Sequence, residues 1–294
     1  MNTEKPPTSD VEREVRRREF VQAAVGSGFA AAVLPVAAST VISHTQDLVA
    51  GPVSIQVGEF SMPAYRAMPT AKPKSAAGYP VILVVSEVFG VHEHIADVAR
   101  RFAKLGYLAV APELFKRQGD AGSYTDIQKL IAEVVAPTPD AQVMADLDAT
   151  AQWAGANGGD LARLGLTGFC WGGRITWLYA AHNQTLRAGV AWYGRLVGVK
   201  TAKTPAHPVD LVAQLHAPVL GLYGEQDQGI PIEDVQEMQA TLGTGGAPAR
   251  ASHIHVYPQA GHAFHADYRP SYRAEEAQDG WKRCLAWFAA NGVA

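Results

Sequence analysis

Along most of this chain, short unbroken apolar runs alternate with segments whose apolar residues recur every three or four positions. The runs are Pro80 to Val85, Tyr107 to Ala111, Leu164 to Phe169, Ala188 to Tyr193, Val219 to Tyr223 and His253 to Tyr257. Uninterrupted runs of this length fit strands covered on both faces of a sheet. Helical spacing marks Ile95 to Leu105, Pro139 to Ala156, Arg174 to His182, Ile232 to Leu242 and Tyr272 to Ala290, with Gly106 at a C-cap position. Upstream, Val53 to Val57 and Met62 to Met68 alternate as a strand pair around Glu59-Phe60-Ser61, and Lys72 to Gly78 is a polar loop. Strand–helix alternation from residue 80 onward predicts an α/β fold, a mostly parallel central sheet with helices on both faces. With no internal repeat and no shift in composition, residues 51–294 read as one domain. Gly194 to His216 is the least regular stretch and reads as a loop near the carboxyl edge of the sheet, where ligands bind in such folds.

Residues 1–50 follow a different pattern. A polar start gives way to Arg16-Arg17-Arg18-Glu19-Phe20-Val21 and then to an apolar, small-residue run from Ala23 to Ile42. This order predicts an export signal of the twin-arginine type, although Arg16 stands where Ser or Thr is usual. The expected location is therefore periplasmic or exported, with a retained anchor or an amphipathic helix of a cytoplasmic protein as alternatives. Gly26, Gly28 and Pro35 weaken the run as a permanent span, so no stable membrane span is expected once the signal is removed.

Charge and cysteine content narrow the classes. The net charge is -3, and no Lys/Arg stripe appears beyond the N-terminus, so no nucleic-acid partner is expected. Two cysteines exclude a disulfide scaffold. Cys284 lies in the apolar stripe of the last helix and reads as a packing residue.

Cys170 sits differently, in Gly168-Phe169-Cys170-Trp171-Gly172-Gly173, between a buried strand and a helix. This resembles the nucleophile elbow of α/β-hydrolases, with cysteine in place of the commoner serine. The tight turn demands small flanking residues, and the helix N-terminus favours a thiolate. The Trp171 amide is placed to stabilise an oxyanion. Asp227 follows the fifth strand of the series and His262 the sixth, so nucleophile, acid and histidine occur in hydrolase order at strand ends. Taken singly, an inert turn cysteine, a loop acid and a structural histidine are the plainer readings; together and in order the three favour a catalytic triad. His253 and His255 have no third ligand nearby, and His92-Glu93-His94 departs from the zinc-protease motif, so no metal is expected. Without a phosphate-cradling glycine loop after an early strand, no cofactor is expected either.

Ser86-Glu87-Val88-Phe89-Gly90, Ala111-Pro112-Glu113-Leu114-Phe115-Lys116-Arg117, the cysteine elbow, Gly224-Glu225-Gln226-Asp227 and Gly261-His262-Ala263-Phe264 together resemble the dienelactone hydrolase (carboxymethylenebutenolidase) family, over about residue 51 to the end. The resemblance implies that Glu87 pairs with the resting thiol and takes its proton when substrate arrives. It also implies that the Val88 amide completes the oxyanion hole with Trp171, and that an acyl-thioester forms on Cys170. Family substrates are lactones carrying a carboxylate held by arginines. Arg117 matches one of these; the position of the other, four residues after His262, is Ala266. Arg269 and Tyr272 are candidates for the missing contact, and Tyr193 and Phe264 are further candidate substrate contacts. The expected partner is a small-molecule lactone or ester. A general carboxylesterase or acyl-transfer enzyme and a non-enzymatic binding member of the fold remain as alternatives.

Overall fold

The computed structural model describes residues 42–294. The expected export signal, residues 1–41 in the main, lies outside the described residues. β1 (Leu48–Val57) and β2 (Phe60–Pro69) form an antiparallel pair. β3 (Tyr79–Val85), β4 (Leu108–Pro112), β5 (Gly159–Phe169), β6 (Ala188–Trp192), β7 (Val219–Gly224) and β8 (His253–Tyr257) follow. All eight join one sheet in the order β1-β2-β4-β3-β5-β6-β7-β8. Every pairing from β4 to β8 is parallel, and β2 runs antiparallel to β4. β1 starts ahead of the expected boundary at residue 51, and the Ser43 amide donates to Asp97 Oδ1 at 2.5 Å. The folded unit thus takes in residues that the sequence pattern assigned to the leader.

The helices are α1 (Glu93–Lys104), α2 (Ile127–Leu130), α3 (Asp140–Ala156), α4 (Trp171–His182), α5 (Ile232–Thr244), α6 (Ala247–Ala251) and α7 (Ala274–Ala290). Gly165 of β5 faces Phe288 of α7, whereas Gly189, one residue past the register partner Ala188 of Gly165, faces Thr176 of α4. Neighbouring strand residues point to opposite faces, so α7 and α4 cover opposite faces of the sheet. α1 shares the α7 face, its Phe102 ring centred 4.7 Å from Trp281 and 6.0 Å from Phe288. α3 shares the α4 face through Tyr179 Oη, which donates to Asp148 Oδ1 at 3.1 Å. Val81 to Val85 are wholly buried between the layers, as an unbroken apolar strand requires. Cys284 is buried against the sheet. Among the described residues, no helix is long and apolar enough to cross a membrane.

One segment was not anticipated. Residues 113–138 carry only a 3₁₀ turn, the four-residue α2 and the π-helical turn Ile131–Val135. Elements this short hold no readable period. Their apolar residues Phe115, Ile127, Leu130 and Val134 nevertheless form a second buried cluster with Val88, against which Trp171 packs. This cluster caps the end of the sheet that carries Cys170.

Candidate active site

β5 delivers Cys170 at the N-cap of α4 with φ 55 and ψ -113. A non-glycine residue in that region stores about 1–3 kcal/mol, held in place only by its surroundings. Here the Cys170 amide donates to Trp192 O of β6 at 2.9 Å, and the amides of Gly173 and Arg174 donate to Cys170 O. The crowding is severe: a Cβ on Gly168 would lie 2.1 Å from Gly172 O, and one on Gly172 would lie 2.4 Å from Val85 O. The turn aims the side chain off the sheet edge at the positive end of α4. The amides of Trp171 and Val88 have no other acceptor among the described residues and remain available to an oxygen.

The chain brings His262 and Asp227 together across the ends of β8 and β7. Asp227 is 5% exposed; its Oδ1 accepts from the Gly229 amide at 2.8 Å, and its Oδ2 lies 2.7 Å from His262 Nδ1. This bond fixes the ring, which lies within electrostatic reach of the Cys170 sulfur. Burial opposes charge on the His262 imidazole, yet the Asp227 carboxylate and the Cys170 sulfur together hold its pKa well above the ordinary value. The Tyr193 ring stands edge-on to His262 at 5.2 Å, and its hydroxyl is buried without a partner. Burial, and then the charge of Glu87, push that hydroxyl's pKa well up, so it is a donor awaiting an acceptor.

Glu87 departs from its expected place. No hydrogen bond joins it to Cys170 among the described residues. Instead, Tyr268 Oη donates to Glu87 Oε2 at 2.5 Å, and His92 Nε2 and Arg269 Nη2 each approach the same oxygen to 3.4 Å. Glu87 is 1% exposed, and a buried carboxylate gains more from a guanidinium and a phenol than from a thiol, which is a weak donor. Burial alone would raise its pKa; Arg269, His92 and His94 override that and hold it well below the ordinary carboxylate range. Charge removal should therefore be costly. Glu87→Gln, which leaves Arg269 buried without a counter-ion, should lose about 3–5 kcal/mol near neutrality. Because the folded pKa is depressed, the wild-type advantage exists above the ordinary carboxylate range and drains away as pH falls below it. Denaturant melts at about pH 7 and about pH 3.5 should show the gap narrowing in acid.

Three other expected substrate contacts are corrected. Arg269 is spent on Glu87 and stacks over Phe89 at 4.9 Å, so it is a buried partner of the glutamate. Phe264 is wholly buried among Tyr193, Trp192 and Tyr257, because its apolar ring packs under the site. Arg117 grips Asp146 of α3 with both terminal nitrogens, at 2.5 and 2.7 Å, and lies over the Phe60 ring. Asp146 has no exposed side-chain surface and needs that fork more than an exposed substrate would. Arg117→Met should thus cost about 2–4 kcal/mol in thermal or denaturant melts while leaving KM for acidic and neutral esters in the same ratio. Tyr272 is half-buried, and neither a ring contact nor a hydrogen bond joins it to Cys170, Asp227 or His262.

The sequence reading missed Tyr268, Asp267 and His94. Asp267 accepts from Arg101 Nη2 at 2.9 Å and lies 3.0 Å from His94 Nδ1, which ties the loop after His262 to α1. His92 meets Glu87 five positions earlier, whereas the pairing of His94 with Asp267, far along the chain, has no local signal. At the opposite, amino end of the parallel strands, an open cleft of about 740 Å³ is lined by Leu161, Gln184, Arg187, Pro218 and Asn291 and holds no candidate nucleophile.

A mixed eight-stranded sheet with a residue of strained turn geometry between β5 and α4 defines an α/β-hydrolase. The model of the dienelactone hydrolase family matches residues 63–292. The chain belongs to that family, whose members hydrolyse esters and lactones. It is 57% identical over 280 residues to a provisionally named carboxymethylenebutenolidase of Methylorubrum extorquens, covering 95% of this chain and 94% of that protein. It is 54% identical over 267 residues to the similarly named protein of Escherichia coli K12, covering 90% and 96%. A crystal structure of a provisionally assigned dienelactone hydrolase from Klebsiella pneumoniae superposes with a TM-score of 0.78 at 56% identity, covering 82% of this chain and 98% of that one.

Proposed function

We propose that the chain hydrolyses a carboxylic ester or lactone through a Cys170–His262–Asp227 triad and an acyl-thioester. The observation that carries this reading is the 2.7 Å Asp227–His262 bond, with the imidazole within electrostatic reach of Cys170 at its strained turn. In the first step, the Cys170 proton passes to His262 as Sγ bonds the carbonyl carbon, and the carbonyl electrons move onto oxygen. The Trp171 and Val88 amides receive that oxyanion. Collapse breaks the ester C–O bond, and His262 returns the proton to the leaving oxygen. A water then attacks the thioester while His262 takes its proton, and the C–S bond breaks to release the acid as His262 returns that proton to Sγ. Asp227 keeps the ring oriented and stabilises its charged form. Glu87 is a positioning residue that holds Arg269 and Tyr268 beside the site. The Arg117–Asp146 pair favours a second reading of substrate scope, in which neutral esters are also accepted.

Rapid acid quench of a turnover with an aryl ester, followed by mass spectrometry, tests the intermediate. An acyl mass increment on the Cys170 peptide is expected. Turnover at full rate with the acyl group on another residue would overturn the assignment.

A further inference from the structure

Tyr193 carries two penalties at once. Its backbone sits at φ 38, in the left-handed region that bulky residues avoid. Its side chain is wholly buried, and the hydroxyl has no hydrogen-bond partner among the described residues. Three backbone contacts impose this arrangement. The Trp192 carbonyl accepts from the Cys170 amide at 2.9 Å, and the Tyr193 amide donates to Leu222 O at 2.8 Å. Gly194 is pressed onto the elbow, where a Cβ would lie 2.3 Å from both Arg174 N and Gly173 C. The tyrosine is thus clamped between the nucleophile turn and β7. Strain of this kind, with an unsatisfied donor beside it, is characteristic of a functional position.

The ring stands edge-on to His262, centroids 5.2 Å apart, and packs against Phe169 and Phe264. The Trp171 ring, on the oxyanion side of the elbow, packs instead against Phe115. Tyr193 therefore lies on the imidazole side of the sulfur. That is the side where the leaving oxygen must sit, because His262 gives it its proton. The other tyrosine of the site is not available for this, since Tyr268 Oη is bonded to Glu87. Burial and the charge of Glu87 keep the Tyr193 phenol protonated, so it meets an oxygen that is gaining charge as a donor.

Resting on the hydrolase reading above, we infer that Tyr193 is a catalytic residue whose hydroxyl donates a hydrogen bond to the leaving oxygen as the ester C–O bond breaks. The bond electrons pass to that oxygen, His262 supplies the proton, and the tyrosine keeps its own. In the second step the attacking water takes the place that the leaving oxygen has vacated, and the same hydroxyl holds it beside His262. The buried donor finds its acceptor when substrate is in place, so its contribution falls on turnover rather than on folding.

The test compares the full chain with Tyr193→Phe on the acetate esters of 4-nitrophenol, phenol and trifluoroethanol, whose leaving oxygens are successively more basic. The acyl-enzyme is the same for all three, so kcat/KM isolates the step in which the C–O bond breaks. The loss in kcat/KM should grow along the series, from about threefold for the 4-nitrophenyl ester to about 30-fold or more for the trifluoroethyl ester. Phenylalanine keeps the ring against His262 and removes an unsatisfied hydroxyl, so the thermal midpoint should stay within about 4 °C of wild type or rise. A uniform loss across the series, no loss at all, or a midpoint lowered by more than about 4 °C would overturn the inference. Failure of the hydrolase reading would look different: Cys170→Ala would keep its turnover of all three esters, whatever the leaving-group dependence of Tyr193→Phe.

Discussion

Cys170→Ala should lower kcat for every ester and lactone the enzyme accepts by about 10,000-fold to 1,000,000-fold, with KM changed far less. The prediction follows from where the sulfur stands. The turn forces Cys170 to φ 55, out over the edge of the sheet and within electrostatic reach of His262. The Trp171 and Val88 amides survive the change, because they belong to the backbone, so residual turnover above the rate in water should persist. Stability should change little, since alanine differs from this buried cysteine by a single sulfur atom. A steady-state assay beside a thermal melt separates the two effects. Turnover within about tenfold of wild type would show that cysteine is not the nucleophile.

Asp227→Asn is the second large effect. The carboxylate does three things at once: it accepts from the Gly229 amide, orients His262 through a 2.7 Å bond, and holds the imidazole pKa well above its ordinary value. Asparagine keeps the shape and loses the charge, and its amide nitrogen can present a donor to Nδ1. That turns the ring to the wrong tautomer, with the proton on Nε2 facing Cys170. A loss of about 1,000-fold to 10,000-fold in kcat is expected. The pH profile carries a further signature. With the anion gone, the His262 pKa should fall, because the charged imidazole loses its largest favourable partner. The limb of the kcat profile that reports this group should therefore move to lower pH in Asp227→Asn. An unmoved limb would place the titrating group elsewhere.

The parts of this site that the sequence disclosed share one property: each ends a buried strand. Phe169, Trp192, Gly224 and Tyr257 close β5, β6, β7 and β8, and the chemistry-bearing residues Cys170, Asp227 and His262 follow within five positions. Apolar runs are legible, and so are residues counted from their ends. The glycines of the elbow were legible because a backbone oxygen lies where their Cβ would be. What stayed hidden depends on partners distant in sequence. Glu87 meets Tyr268 and Arg269 across some 180 positions, and Arg117 meets Asp146 of α3. A family motif marked Glu87 and Arg117 but could not say which charge would claim them. The cap formed by residues 113–138 was hidden for another reason, since its turns are too short to show a period.

The bonds of Asp267 and Tyr268 have a dynamic meaning. Asp267 is held by Arg101 and His94 of α1, and Tyr268 by Glu87 beyond β3, so the loop that carries His262 is riveted to the first α/β unit of the fold. Loosening the histidine then requires exposing charges buried under α1. Local opening of residues 262–272 should not be an independent fluctuation; it should share its free energy with α1, so that backbone amides of the two segments exchange with deuterium in step.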